Sequence, residues 1–273
     1  MIDVSTVDPR LYDGISIVIE KLKDSVGLKP ENVLVVGASC RDILHAGFGH
    51  RFPLRATTDI DLGIAINDWI VSERIESTFK RIGSNGIRYL IAEHPVDIMP
   101  FGGVEDPDGI SHPTARGEDL NVFGFQDVFQ NALPLELPNH STVKLPQPAG
   151  YTVLKMRSWL DRSVYGHYRD AQDLALTLFW YQESKEVHDH LYDTDEGFKI
   201  LEGLGMDSDL AAAKLLALDA AAQLSPENAA DLADRWENQD MKSLARNFTL
   251  PTTGPRTSDF GRREALIAQF SIS

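Results

Sequence analysis

The chain has 273 residues, 42% of them hydrophobic and 25% charged, enough for one large domain or two modest ones with a proper core. Its formal net charge of -15 disfavours partners bound through broad, nonspecific phosphate contacts, so any handling of nucleic acid requires a local basic groove on an acidic background. The single cysteine, Cys40, excludes an internal disulfide framework. The segment MIDVSTVDPRLYDG lacks the apolar stretch of a secretory signal, and no apolar run reaches the length of a membrane span. A cytoplasmic protein with no membrane partner is therefore expected. The acidic balance suits simple solubility or a basic protein partner.

In chain order, residues 10–26 carry apolar residues at helical spacing and predict a first helix. A turn at residues 29–32 leads to Val33-Leu34-Val35-Val36, a buried strand that stops at Gly37. The pattern becomes helical again from Ser39 to Leu44, followed by the loop AGFGHRFPLRATT and the strand DIDLGIAI. Residues 69–82 read as an amphipathic helix, and IRYLIA and VDIMPF as two more strands. The first hundred residues thus read α–β–α–β–α–β–β, an α/β layer with at least four strands. Residues 102–125 are rich in Gly, Asp and Pro and read as loops, and 126–146 contain strand-like pieces (ALPLEL, STVKLP).

After Pro148 the character changes to alanine- and leucine-rich helix: 149–164, 168–184, 207–223 and 225–246, the last opened by Ser225 as N-cap with Pro226 behind it. Three segments are expected: 1–147, a helical domain over 148–248, and a loop-like tail over 249–273 that carries Arg256, Arg262 and Arg263 and has room for a short terminal helix.

The sharpest chemical feature is Thr58-Asp59-Ile60-Asp61-Leu62. On a strand, alternate side chains share a face, so Asp59 and Asp61 project together while Ile60 and Leu62 turn to the core. Two adjacent carboxylates repel unless a cation lies between them. Mg²⁺, a hard ion that takes carboxylate and phosphate oxygens, is the natural occupant; an exposed acidic strand edge shows the same pattern. Upstream, Val36-Gly37-Ala38-Ser39 is a strand-to-helix turn of the kind that exposes backbone N–H groups to phosphates, as well as a plain turn.

Asp97 is a lone carboxylate in the apolar strand Val96-Asp97-Ile98-Met99, where it requires a partner, and a neighbouring strand can bring it beside Asp59 and Asp61. In the helical half, Lys155 sits among apolar residues and either snorkels to solvent or reaches a triphosphate. Asp170 and Asp173 share one helix face, where carboxylates are commonly just solvated. His188 and His190, two apart, point away from each other on a helix and read as surface residues, whereas His50 and His167 lie near the motifs.

The run VGASCRDIL…RATTDIDLGIAINDW, then VDIMPFGGVE, then VLKMRSWLDR…YRDAQDL, resembles the AbiEii/AbiGii-type nucleotidyltransferases of bacterial toxin–antitoxin systems, within the DNA polymerase β-like nucleotidyltransferase superfamily. The resemblance spans roughly residues 30–185. It implies an α+β fold, a mixed sheet with flanking helices followed by a C-terminal helical domain that completes the active-site cleft.

It also implies a site. The superfamily's Gly-Ser turn falls on Gly37 and Ser39, its Asp-x-Asp on Asp59 and Asp61, its later Asp on Asp97, and the family's lysine on Lys155, with Asp170 and Asp173 on the helix beyond. Asp59, Asp61 and Asp97 are then metal ligands for Mg²⁺ or Mn²⁺, catalytic together with Lys155. Arg55, Thr58, Lys155, Asp170 and Asp173 join Gly37 and Ser39 in binding a nucleoside triphosphate. The sequence departs from the pattern in two ways. Ala38 stands between the Gly and the Ser, and the gap from Ser39 to Asp59 is long. GASCRD is also similar to the GG-x-x-RD turn of CCA-adding tRNA nucleotidyltransferases, which the rest of the chain does not follow.

The implied activity moves a nucleotidyl group from a nucleoside triphosphate to an acceptor hydroxyl of tRNA, a protein or another cellular target, releasing pyrophosphate, in a toxin held in check by a cognate antitoxin. The competing expectations are a nucleotidyltransferase acting on an antibiotic and a nucleotide-binding module without catalysis.

Overall fold

The computed structural model describes residues 7–114, 116–251 and 259–272. Residues 1–6 of the segment inspected for a signal, and Arg256, lie outside them. The chain divides into two units: residues 2–49 with 56–147, and residues 50–55 with 148–273.

In the first unit, α1 (Arg10–Val26) buries one stripe, Ile15, Val18, Ile19 and Leu22, and ends at Gly27 in the left-handed conformation that closes helices readily. It leads through a 3₁₀ turn, Pro30–Asn32, into β1 (Val33–Val36), all four residues of which are buried. α2 (Gly37–Gly47) follows directly, and after the loop comes β2 (Ile60–Ile66). Then come α3 (Ile70–Thr78), β3 (Lys80–Arg81), β4 (Arg88–Ile91) and β5 (His94–Gly102). A small hairpin, β6 (Ile110–Ser111) and β7 (Leu120–Asn121), precedes α4 (Phe125–Gln130), β8 (Leu133–Glu136) and β9 (Thr142–Leu145).

The main sheet has seven strands in the order β3-β4-β5-β2-β1-β9-β8. β2 runs parallel to β5 and antiparallel to β1, and β1 runs parallel to β9, so the sheet is mixed. The apolar runs explain this placement: β1 and β2 lie inside the sheet with neighbours on both edges, and only strands rich in Val, Ile and Leu tolerate that burial.

Three expectations for this unit change. The helix over 69–82 stops at Thr78, because Phe79 is extended and Lys80 and Arg81 pair with Leu90 and Tyr89. The loop over 102–125 includes the β6–β7 hairpin, and α4 begins behind Gly124, whose positive φ of 77° turns the chain into it. β2 begins at Ile60, so Asp59 lies just ahead of the strand rather than in it. In the β5 register Ile60 faces Val96; the next position back is Pro95, which has no N–H to extend the ladder.

The second unit is helical: α5 (Pro148–Arg162), a 3₁₀ turn (Ser163–Tyr165), α6 (Arg169–Glu183), α7 (Lys185–Asp193), α8 (Asp195–Gly203), α9 (Ser208–Ala222), α10 (Pro226–Glu237), α11 (Met241–Asn247) and α12 (Phe260–Ile267). α5, α6 and α9 pack on one another around Tyr151, Trp159, Leu174, Trp180 and Leu216, all buried. Ser225 caps α10, its hydroxyl accepting from the Asn228 N–H at 3.2 Å with Pro226 at the first helical position.

The helix expected over 225–246 is two helices, because Asp240 caps a new start by accepting from the Ser243 N–H at 2.9 Å. α7 and α8 were not expected. The fold is α+β: a mixed sheet with helices, followed by helices. Among the described residues no helix is long and apolar enough to cross a membrane.

Candidate active site

Sheet register brings the carboxylates together. Asp61, the second residue of β2, stands opposite Asp97 of the parallel β5 and opposite Val36, the last residue of β1. Residues paired across a ladder share a face, so Asp61 and Asp97 are on one side. On the other flank of β5, Arg88 of β4 is the antiparallel partner of Asp97.

Arg88 organises the cluster. Its Nε and Nη2 donate to Asp97 Oδ1 and Oδ2 at 2.7 and 2.8 Å, a bidentate pair, and Nη2 also donates to Asp59 Oδ2 at 2.5 Å. Asn85 Nδ2 lies 3.3 Å from both Asp97 oxygens, while Asn85 Oδ1 accepts from the Ile87 and Arg88 N–H groups. Arg116 Nη1 in turn holds the Asn85 carbonyl at 2.7 Å. The buried Asp97 therefore has the partner its apolar strand demanded, and that partner is a guanidinium.

The other oxygen of Asp59 accepts from the Thr57 hydroxyl. Burial opposes ionisation of Asp59, but the Thr57 hydrogen bond, its own backbone N–H and Arg88 outweigh it and hold the carboxyl below its ordinary value. Arg88 is pushed above its ordinary value, first by its hydrogen bonds to Asp97 and then by the nearby charges of Asp97, Asp59 and Asp61.

Gly37 opens α2 with φ of 61°, and a Cβ built on it would lie 1.9 Å from Asp61 Oδ2. Only glycine admits the Asp61 carboxylate this close to the start of the helix, where backbone N–H groups carry partial positive charge. Ser39 is half-buried in the first turn of the same helix, and Thr58 is exposed in the loop ahead of β2.

The donor chemistry of Asp59, Asp61 and Asp97 suits a hard divalent cation. The arrangement does not. Two of the three carboxylates are engaged by Arg88, and among the described residues no group of three or more His, Cys, Asp or Glu side chains is disposed to hold a metal ion. The mutual repulsion that the sequence assigned to an ion is relieved by Arg88. Sequence reasoning missed Arg88, and only the structure supplies the reason for its place. β4 and β5 are joined by the two residues Ala92 and Glu93, both at positive φ, and a two-residue hairpin fixes Arg88 opposite Asp97.

The remaining expected residues lie in the helical unit. Lys155 Nζ contacts Asp173 at 2.7 Å and Asp170 at 3.2 Å, and it lies 5.3 Å from the centre of the Tyr151 ring. All three charged groups are buried, so Lys155 does not snorkel to solvent, and the two aspartates are not a solvated face. Burial opposes its charge, yet Asp173 and Asp170 together hold the lysine above its ordinary value. Arg162 approaches Asp170 at 3.3 Å, and Arg55 reaches Asp173 at 3.6 Å and the Gln172 side chain at 3.4 Å.

His50 packs 4.8 Å from the Phe179 ring, and burial holds its pKa down. His167 is exposed, and His188 stacks on Tyr192 at 4.4 Å. Arg262 and Arg263 of the tail are also engaged inside this unit. Arg262 donates to Asp207 at 2.7 Å through both Nη atoms, and Arg263 donates to the Ala245 carbonyl at 2.7 Å.

No family model and no curated protein matches the chain. Among solved structures, a CCA-adding enzyme in complex with CTP is similar over 91% of this chain and 68% of its own, at 13% identity and a TM-score of 0.23. A likeness that faint carries no argument about activity, which rests on the side chains themselves.

Proposed function

We propose that this protein is a nucleotidyltransferase, moving a nucleotidyl group from a nucleoside triphosphate to an acceptor hydroxyl. The observation that carries the proposal is the gathering of Asp59, Asp61 and Asp97 beside the Gly37 turn. Acidic groups that meet at a helix start are the equipment of a site for a phosphate chain and its counter-cation. In the transfer, the acceptor hydroxyl oxygen forms a bond to the α-phosphorus and gives its proton to solvent, the bond from that phosphorus to the bridging oxygen breaks, and pyrophosphate leaves.

Asp59, Asp61 and Asp97 are the carboxylates that the AbiEii resemblance gives to Mg²⁺ or Mn²⁺, while Arg88 holds Asp59 and Asp97 and neutralises the cluster in an ion's place. A bound divalent ion would supply neutralisation of triphosphate charge. Both oxygens of Asp97 already accept hydrogen bonds from Arg88 and Asn85, so Asp97 serves as the seat of Arg88 rather than as acceptor of the hydroxyl proton. Gly37 and Ser39 form the proposed phosphate turn and Thr58 is proposed to bind nucleotide, whereas Arg55 is engaged with Asp173 and Gln172 inside the helical unit. Lys155, Asp170 and Asp173 satisfy one another, and we assign them the task of holding α5 to α6.

The acceptor proposed is tRNA or another cellular target in a toxin–antitoxin setting, which follows from the AbiEii resemblance; an antibiotic is the alternative acceptor. A nucleotide-binding module without catalysis is the second reading, favoured by the engagement of two carboxylates with Arg88. The test is to incubate the protein with α-labelled nucleoside triphosphates, Mg²⁺ or Mn²⁺, and tRNA, cell protein or aminoglycosides in separate reactions. Label should enter one acceptor class. Nucleotide binding with no label in any of them would establish the inactive module, and label that persists in Asp59→Asn and Asp61→Asn proteins would place the site elsewhere.

A further inference from the structure

The turn between α5 and α6, residues 162–169 with the sequence RSVYGHYR, contains no acid in a chain of net charge -15. Its own backbone orders it. Gly166, at φ 80°, closes the 3₁₀ turn by donating to the Ser163 carbonyl at 2.9 Å, and the His167 N–H donates to the Arg162 carbonyl at 3.2 Å. That closure leaves Val164 and Tyr165 75% and 78% exposed, an apolar pair that folding alone does not account for. Tyr168 leans on the buried Trp159, ring centres 5.9 Å apart, and still has 40% of its surface in solvent.

The charges beneath the turn leave a positive excess. Asp170 and Asp173 are buried, and three cations contact them: Lys155 at 3.2 and 2.7 Å, Arg162 at 3.3 Å from Asp170, and Arg55 at 3.6 Å from Asp173. Lys155 is buried with them, so the surplus falls on the two arginines that reach solvent. Arg169 is exposed and adds a further cation on the helix face of Gln172 and Asp173. The acid just ahead of the segment, Asp161, is already held by Arg157 at 3.2 Å.

We propose that this turn of the helical unit is a docking surface for an unpaired nucleic-acid strand, with Tyr165 and Tyr168 as stacking platforms and Arg162 and Arg169 as phosphate contacts. Guanidinium groups interleaved with open aromatic rings match such a strand, whose phosphates take the arginines and whose bases stack on the rings. A duplex keeps its base faces covered and offers the rings nothing. An acidic chain repels a phosphodiester backbone as a whole, so a strand is held only where cations outnumber acids, as they do here. The inference does not rest on Asp59, Asp61 or any transfer reaction.

Fluorescence anisotropy of a labelled, unstructured RNA oligonucleotide titrated with the full chain at low salt, without nucleoside triphosphate, tests it. The parent should bind the single strand several-fold more tightly than the same RNA annealed to its complement. Tyr165→Ala should weaken binding on the order of tenfold, the loss of one stacked base, while Tyr165→Phe, which keeps the ring, should bind as the parent does. Arg169→Gln should weaken binding and lower the slope of log affinity against log salt by about 0.7. Both side chains are exposed, so urea denaturation should find the variants as stable as the parent. Parent-like binding by Tyr165→Ala, or equal affinity for strand and duplex, would overturn the proposal. No binding by the parent would also overturn it and leave Val164 and Tyr165 as a surface for a protein partner. Should Tyr165→Ala lose its fold, the salt slope of Arg169→Gln decides, an unchanged slope counting against the proposal. With no triphosphate present, none of these outcomes bears on the transfer proposed for Asp59 and Asp61.

Discussion

Gly37 shows how one residue couples the start of a helix to a carboxylate. Its φ of 61° and the 1.9 Å between a built Cβ and Asp61 Oδ2 mean that any side chain must displace Asp61 or the helix start. Gly37→Ala is expected to cost about 1–3 kcal/mol of stability through backbone strain, plus the displacement of Asp61. Urea denaturation checks this, and a loss below a few tenths would contradict the contact. Lys155 offers the opposite case, a cation that two buried carboxylates need. Lys155→Met should cost about 3–5 kcal/mol, because it leaves Asp170 and Asp173 buried without their cation. Adding Asp170→Asn and Asp173→Asn to that variant should recover part of the loss; a Lys155→Met protein as stable as the parent would return the lysine to a purely ligand-facing role.

At this scale Asp61 and Asp97 were placed on strands by local patterns in the sequence, an alternating run and a lone acid in an apolar one, whereas Asp59, expected on the strand, lies just ahead of it. Arg88 was not legible, because its meaning depends on a hairpin turn made by Ala92-Glu93, residues that do not announce a turn with both central φ values positive.

Among the elements, those with dense apolar faces read correctly: α1, β1, β2, β4, β5, α5, α6 and α9 bury most of their apolar residues. α7 and α8 escaped because each is only nine residues long and buries very little, Leu191 in the first and Gly197 and Leu201 in the second. Their caps were the available signal: the Ser184 hydroxyl accepts from the Val187 N–H at 3.4 Å and the Thr194 hydroxyl from the Gly197 N–H at 3.0 Å.

α12 is tied down by polar contacts. Arg262 bonds Asp207, the N-cap of α9, through both Nη atoms, and reaches Asp209 at 3.0 Å. These bonds to Arg262, ahead of the backbone N–H groups it caps, hold the Asp207 carboxyl below its ordinary value. A lowered carboxyl pKa adds stability that is present above the unfolded value, about 3.9, and is lost as pH falls through the folded one. Arg262→Gln should therefore be less stable than the parent at pH 7, by up to about 1 kcal/mol for a partly exposed pair. The gap should close as the pH is lowered toward 3 and below. Parallel stability curves down to that pH would show that Arg262 does not hold Asp207.

For the molecule as a whole, the change from strand-bearing to helical sequence after Pro148 gave the fold class, and β1, β2 and β5 supply the ladder on which the site is built. The strand order was not legible: β9 reaches β1 from more than a hundred residues away, through a pairing that no local pattern encodes. A net charge of -15 does not favour phosphate-rich partners, so any anion handling falls to local groups. The central claim is that Asp61, placed by the β2 ladder, and Asp59, just ahead of it, perform nucleotidyl transfer. It is tested most directly by pyrophosphate release from nucleoside triphosphates, with Mg²⁺ or Mn²⁺ and the acceptor mixture, in the parent and in folded Asp59→Asn and Asp61→Asn proteins. Release by the parent and its loss in both variants is the predicted result; equal release by all three proteins would contradict the account.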